Sequence, residues 1–380
     1  MTGQGGPGPL NALNDDLNKA AVPANWSSPP ARISSSPAAI MPVIAGKLNG
    51  TWTRLLASER LRRSSQVLSV IDQKAYIFGG EILPRQPVDS QLDVISVGAG
   101  AANHETKSLN EAPSPRVGSA SAVVNGKLVL FSGRGGTDMA PVEEKGAVWA
   151  WDPAQSAWSL VRPADASKPY PPARSYHTAT SDGETSYFIH AGCPEKGRLS
   201  DLWKFDLSSK TWSQAADAPG PQRGGTSIAY SGGKLYRMNG FDGQTEVGGS
   251  IDVYDISSNT WSSETFQADG NSGPEPRSVC TLLPLRVRNK DKLMTLFGER
   301  DPSSLGHAGA GKMLGDVWLY DIAEKWWTHL QPSGDDGTPD PRGWFDADVL
   351  KAESGSDGVL VHGGLGENNE RLTDVWHLSF

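Results

Sequence analysis

The sequence predicts an all-β chain folded as a six-bladed β-propeller, and three observations carry that prediction. Six strand-like apolar runs break on glycine: Tyr76-Ile-Phe-Gly-Gly80, Leu128-Val-Leu-Phe-Ser-Gly133, Tyr187-Phe-Ile-His-Ala-Gly192, Leu235-Tyr-Arg-Met-Asn-Gly240, Leu293-Met-Thr-Leu-Phe-Gly298 and Val359-Leu-Val-His-Gly-Gly364. An aromatic-rich segment follows each run, and small residues precede it. The period of about 50 residues is that of a propeller blade, a small sheet that cannot bury both faces alone.

Each element of the blade has a local reason. Small-residue segments such as Gly118-Ser-Ala-Ser-Ala-Val123 suit an innermost strand crowded around a central axis. The glycine-ended run is the second strand. Trp149 and Trp158, Trp203 and Trp212, and Trp318 and Trp327 are each nine residues apart, and Tyr254 and Trp261 are seven apart. Turn residues such as Asp152-Pro153 and Ser257-Ser-Asn259 separate these pairs, which reads as strand, hairpin, strand. The large rings fill the widening outer part of the blade. The last repeat stops at Asp374-Val-Trp-His-Leu-Ser-Phe380 without a tryptophan strand, whereas Gly50-Thr-Trp-Thr-Arg-Leu55 has no blade before it. Pairing the two would complete the sixth blade and remove exposed sheet edges. Blade one is the degenerate copy, because residues 99–110 lack tryptophan.

Composition narrows the remaining classes. The repeat makes residues 46–380 one domain, and residues 1–45, rich in Gly, Pro, Ser and Ala, read as a disordered tail. No basic start leads into a long apolar stretch, and no run of 18 apolar residues occurs, which argues against a secretory signal and a membrane span. Two cysteines, Cys193 and Cys280, make no disulfide framework, so a cytoplasmic location is expected. A net charge of −8 argues against nucleic acid or an anionic membrane as partner.

The most specific chemical feature is a repeated arginine. Arg63, Arg116, Arg174, Arg223, Arg277 and Arg342 each stand just before the small-residue strand of their repeat. Equivalent places in a propeller form a ring around one mouth of the channel. Guanidinium forks there would favour a carboxylate or sulfate, with Arg116 and Arg174 among the substrate-binding candidates. The alternative is mortar, each arginine binding backbone carbonyls and carboxylates of the blades around it.

The repeat resembles a Kelch propeller. Over residues 50–380 it more closely resembles the plant specifier proteins: the nitrile-specifier, epithiospecifier and thiocyanate-forming proteins, which redirect the breakdown of glucosinolate aglucones. The segments that carry the likeness are Gly79-Gly-Glu-Ile-Leu-Pro84 with Pro87-Val-Asp89, Pro172-Ala-Arg-Ser-Tyr-His177, Arg223-Gly224-Gly225, Pro276-Arg-Ser-Val279, Pro341-Arg-Gly-Trp344 and Val361-His-Gly-Gly364. The resemblance implies an iron(II), Fe(2+), site built from a Glu, an Asp four residues on and a His eight residues on. Here these would be Glu299, Asp301 and His307, with the Asp two residues after the Glu and Ser303 at the family's Asp position. Two carboxylates and an imidazole suit non-haem iron(II) and other divalent ions. The bland reading is a solvated charge cluster with a loop histidine.

The resemblance also implies anion-binding arginines in the loops of blades two and three, at Arg134 and Arg198, with Lys196 as an alternative to the latter. Arg134 and Arg198 are therefore the catalytic and substrate-binding candidates, and an ion pair of Arg134 with Asp138 is the bland alternative. The basic residue of the first-blade loop falls at Gln86, beside Arg85.

Other chemistries lack support. The segment 306–312 imitates a P-loop, but Met313 stands where Ser or Thr is required. No Gly-x-Ser-x-Gly elbow occurs. Tyr176, His177 and Cys193 do not complete the copper site of a galactose oxidase, and His190 and His362 read as packed strand histidines. Two functions stay open. One is an iron(II)-dependent lyase-like protein acting on a small organic anion. The other is a Kelch module that presents residues 84–90 and 299–315 to a protein partner.

Overall fold

The computed structural model describes residues 48–98, 102–306, 309–353 and 355–380. The tail predicted over 1–45 and the candidate ligand His307 lie outside them. Among the described residues the chain is almost entirely antiparallel β-structure. Its six main sheets each have four principal strands, as a Kelch propeller requires.

The first sheet holds Ser64–Ile71, Lys74–Leu83, Leu92–Ser96 and Asn103–Lys107, with the short Gln86–Pro87 pairing on its second strand. The second is Ala120–Val124, Lys127–Phe131, Val148–Asp152 and Ala157–Val161. The third is Thr178–Ser181, Ser186–His190, Leu202–Asp206 and Thr211–Ala215. The fourth comprises Ser227–Ser231, Lys234–Met238, Ser250–Asp255 and Thr260–Thr265. The fifth comprises Thr281–Val287, Lys290–Leu296, Val317–Asp321 and Trp326–Leu330. The sixth takes Asp346–Leu350, Gly358–His362 and Asp374–Ser379 from the end of the chain and Thr51–Ala57 from its beginning. That last pairing sets Trp52 opposite Leu378 and Arg54 opposite Trp376.

The aromatic pairs sit differently from their spacing. The residues directly opposite one another are Trp151 and Trp158, Phe205 and Trp212, Tyr254 and Trp261, and Tyr320 and Trp327, all seven apart. Trp149 and Trp158, nine apart, meet edge-on at 6.5 Å between ring centroids, a diagonal contact. A tight hairpin brings residues seven apart into register, and the nine-residue spacing marks the diagonal neighbour on the same face.

Apolar packing lies between sheets. Each of six buried clusters takes side chains from two consecutive sheets. Val67, Phe78 and Val94 of the first meet Leu128, Leu130 and Trp151 of the second. Leu68, Ile77 and Ile95 of the first meet Leu350, Leu360 and Val375 of the last. A fully buried side chain of this kind contributes about 1.5–3 kcal/mol. The last and first sheets are joined by polar bonds as well. Asp346 accepts the Leu68 N–H at 2.6 Å and Asp348 accepts the Val70 N–H at 2.7 Å. Burial pushes these carboxyls up, to about 7 and about 6.

The glycine breaks have a common cause. Gly133 and Gly298 adopt φ of 107° and 105°. A β-carbon there would lie 2.2 Å from Ser119 Oγ in one case and 2.8 Å from Ser278 O in the other. Only glycine fits that left-handed, crowded position. The turn aims the glycine N–H at the carbonyl of the next repeated arginine. Gly133 donates to Arg174, Gly192 to Arg223, Gly240 to Arg277, Gly298 to Arg342 and Gly364 to Arg63, all at 2.8–2.9 Å.

Candidate functional site

The repeated arginines are internal staples. All six are buried, and each Nη1 donates to a carbonyl at the end of its own sheet's second strand: Gly79, Ser132, Ala191, Asn239, Phe297 and Gly363. Arg116 also grips Glu144 through two nitrogens at 3.0 Å, and Arg174 grips Asp201 at 2.6 and 2.7 Å. Both forks are buried and already hold a carboxylate, so the structure gives Arg116 and Arg174 no free fork for a substrate. The sequence shows the equivalence of the six but not their depth.

The residues one after the glycine breaks are Glu81, Arg134, Cys193, Phe241, Glu299 and Leu365; Glu81, Glu299 and Leu365 are buried, and Arg134, Cys193 and Phe241 are half-buried. Each pairs with the residue following its sheet's repeated arginine, as in Arg134 with Val117, Cys193 with Ser175 and Glu299 with Ser278. One residue per sheet is thus presented at equivalent places, and these places carry different chemistry.

Arg134 lines a cavity of about 230 Å³ with Glu81, Arg85, Asp138, Met139, Ser175, Tyr176 and Cys193. Its guanidinium donates to Ser175 Oγ at 3.2 Å, the Met139 carbonyl at 2.9 Å and the Pro194 carbonyl at 3.3 Å. All three acceptors are neutral, and no ion pair of Arg134, with Asp138 or another carboxylate, occurs among the described residues. Arg198 takes another place: its guanidinium stacks on Phe241 at 4.9 Å, and its Nε is buried without a hydrogen-bond partner. Both arginines act on the free thiol of Cys193, which burial pushes up and their charges pull down. Glu81 is already paired with Arg371 at 3.0 Å. Tyr176 borders this cavity and also the larger central one of about 780 Å³, between the inner strands.

The other pole is acidic. Glu299 is buried and accepts the Gly311 N–H at 2.6 Å. Burial, with the Glu246 charge adding to it, pushes its carboxyl up to about 7. Glu246 is raised as well, chiefly by burial and also by the Asp301 charge, and its Oε1 has no hydrogen-bond partner. Asp301 is exposed and lies 3.5 Å from the Arg300 guanidinium. Glu246 thus acts on Glu299 and is acted on by Asp301, and nothing in the sequence points to it, since it lies in the loop of a different repeat. The P-loop-like segment ends instead in the two-residue strand Lys312–Met313, paired with Glu299–Arg300.

His177, His190 and His362 are buried. His190 Nδ1 lies 2.8 Å from the Asp201 carbonyl and His362 Nε2 lies 3.0 Å from the Leu61 carbonyl. His177 packs edge-on against Phe131, and neither of its nitrogens has a partner. Burial lowers all three, His177 and His362 to about 3. Unfolding frees these rings to bind a proton near their ordinary value of about 6.5, so stability is full above that pH and falls as pH drops toward 3. His177→Phe should therefore flatten the loss between pH 6 and 4 by about 1.4 kcal/mol per pH unit, measured by denaturant unfolding. An unchanged slope would show that His177 is protonated in the folded state.

A family model described as the KLHDC2/KLHL20/DRC7 Kelch-repeats domain matches residues 65–298. The chain belongs to the Kelch-repeat family. Among characterised Kelch-containing and other similar proteins, it is 27% identical over 365 residues to the N-(sulfonatooxy)prop-2-enimidothioate sulfolyase of Thlaspi arvense, covering 88% of this chain and 98% of that protein. It is 22% identical over 347 residues to the leucine-zipper-like transcriptional regulator 1 homolog of Drosophila melanogaster, where it spans only 32% of the relative. It is 27% identical over 206 residues to the flagellar outer-arm dynein alpha chain of Chlamydomonas reinhardtii, spanning 4% of that protein. No helix of the described residues is long and apolar enough to cross a membrane.

Proposed function

We propose that this Kelch protein is a six-bladed ring that binds a small organic anion at the Arg134 cavity and acts on it in a lyase-like, specifier-type reaction. Ring closure is supported by the inner strands, which neighbour one another in the order first to sixth and back to first. The observation that carries the function is Arg134: a guanidinium in a cavity of about 230 Å³, with its donors on neutral oxygens alone. Such a fork is free to exchange weak carbonyl contacts for charge-assisted bonds to a sulfate or carboxylate. The sulfolyase relative, matched over 98% of its length, is named for a substrate with a sulfonatooxy group, and this supports a sulfate-bearing substrate here. Arg134 would hold the sulfate and offset the charge that develops as it leaves, with Cys193 and Tyr176 walling the same space.

The iron(II) of the specifier reading finds poor support in the described donors. One oxygen of Glu299 is committed to Gly311. Asp301 faces solvent beside Arg300, and no group of three His, Cys, Asp or Glu side chains among the described residues could hold a metal ion. The set Glu299, Asp301 and His307 rests on His307, outside the described residues, so no step is routed through a metal. Protein purified without oxygen should hold well under one iron per chain, as should Glu299→Ala/His307→Ala. Iron near one per chain that vanishes in the variant would reverse this reading.

A second function, a protein-binding module, draws support from Ile82, Leu83 and Leu305, exposed large apolar residues in or beside the two loops marked for contact. Calorimetric titration with inorganic sulfate separates the two. Arg134→Gln should weaken sulfate binding by about tenfold or more, the value of a charge-assisted bond. Equal affinity in both proteins would remove the anion-binding reading.

A further inference from the structure

Five of the six repeated arginines meet a carboxylate; Arg223 does not. Arg174, Arg277 and Arg342 grip Asp201, Asp316 and Asp374, the first two just before an aromatic strand and the third at the start of one. Arg116 takes Glu144 from the preceding loop, and Arg63 takes Asp93. In the fourth sheet the register places Ser250 where the third has Asp201, and Asp252 where it has Trp203. Asp252 is engaged elsewhere, by the Arg237 guanidinium and by Ser263 Oγ. Arg237 in turn occupies the position of Ile189.

Arg223 is therefore a buried cation, 3% exposed, with an incomplete set of partners. Its Nε donates to the Pro221 carbonyl and its Nη1 to the Asn239 carbonyl. Its Nη2 has no hydrogen-bond acceptor among the described residues. The charges around it are Arg237, Asp252 and Asp242, so within the buried group two guanidiniums face one carboxylate. Burial, with Arg237 adding to it, lowers Arg223 to about 10, as expected of an undercompensated cation.

Solvent reaches this position in the other sheets, where the carboxylates of the second, third, fifth and sixth are 13–20% exposed. The indoles of Trp149, Trp203, Trp318 and Trp376 cap those four carboxylates, and the fourth sheet has Asp252 in the tryptophan position. Gly220 approaches the fork closely, since a β-carbon there would lie 3.2 Å from Nη2.

We propose that Arg223 is a second anion site, separate from the Arg134 cavity, where a small carboxylate from solution fills the place that an aspartate side chain fills in other repeats. Replacing Asp by Ser removes the equivalent of one carboxylate on a short stem, so an acetate-sized ligand matches the gap. Nη1 and Nη2 would hold its two oxygens as the bidentate forks of Arg174 and Arg342 hold theirs.

The test uses acetate at constant ionic strength, with chloride as balance, and follows the thermal midpoint of the whole chain. Because the Arg134 cavity also accepts an anion, the test is made in Arg134→Gln, which lacks it: its midpoint should rise by about 2 °C or more at saturating acetate. Arg134→Gln/Ser250→Asp should start higher than Arg134→Gln and lose the acetate response, because the chain then supplies its own carboxylate. A flat titration of Arg134→Gln, or an equal response in Arg134→Gln/Ser250→Asp, would overturn the proposal.

Discussion

Asp374→Ala will lower stability by about 3–5 kcal/mol, because it strands a buried guanidinium. Arg342 is fully buried, and its Nη1 and Nη2 reach Asp374 at 2.7 and 3.0 Å. Asp374 also accepts the Trp376 indole N–H at 2.7 Å. Burial alone would raise the Asp374 carboxyl, but the hydrogen bond and charge of Arg342 hold it below the usual range. Removing the carboxylate leaves the cation with the Asp340 and Gly363 carbonyls and the face of the Phe297 ring. Replacing both residues with apolar ones, as in Arg342→Met/Asp374→Leu, should cost much less than the single change. Denaturant titrations of the two single variants and the double variant measure the coupling. Additive losses would mean that the pair contributes nothing beyond its separate members.

Trp52→Ala should be as damaging. Trp52 is 2% exposed, stacks on Phe297 of the fifth sheet at 6.0 Å between centroids and meets Trp376 of the sixth edge-on at 6.4 Å. It belongs to the N-terminal strand, so its loss weakens the strand pairing by which the start of the described chain holds its end. Truncating a buried tryptophan costs about 3–5 kcal/mol, which corresponds to a fall of about 4–7 °C in the midpoint of a domain this size. Calorimetry would show it, and an unchanged midpoint would mean that the strand from Thr51 to Ala57 adds little to the fold.

Much of the architecture was legible because repetition amplifies weak local signals. One glycine in a strand says little, but six at one period specify a module, and the positive φ of Gly133 and Gly298 explains why no other residue serves. The chain ends could be matched because one lacked a strand and the other had a strand to spare. What the sequence could not show was direction. The arginine repeat looked like a rim, yet the side chains turn inward to Ser132, Ala191 and their counterparts. Nor could linear spacing reveal that the Glu246 charge acts on Glu299, because packing of consecutive sheets brings together loops of different repeats. Arg134 was found through resemblance, and its significance is that all its acceptors are neutral, which only three-dimensional contacts disclose. The gap at Arg223 was visible in principle as Ser250 among aspartates, but aligning it required the strand register.

The most direct measurement of the central claim is a crystal structure of the protein with sulfate at saturating concentration. The account predicts sulfate in the cavity beside Tyr176 and Cys193, with two oxygens within hydrogen-bond distance of Arg134 and its contact to the Pro194 carbonyl given up. A structure with Arg134 still bonded to Met139, Ser175 and Pro194 and no anion in that cavity would contradict it.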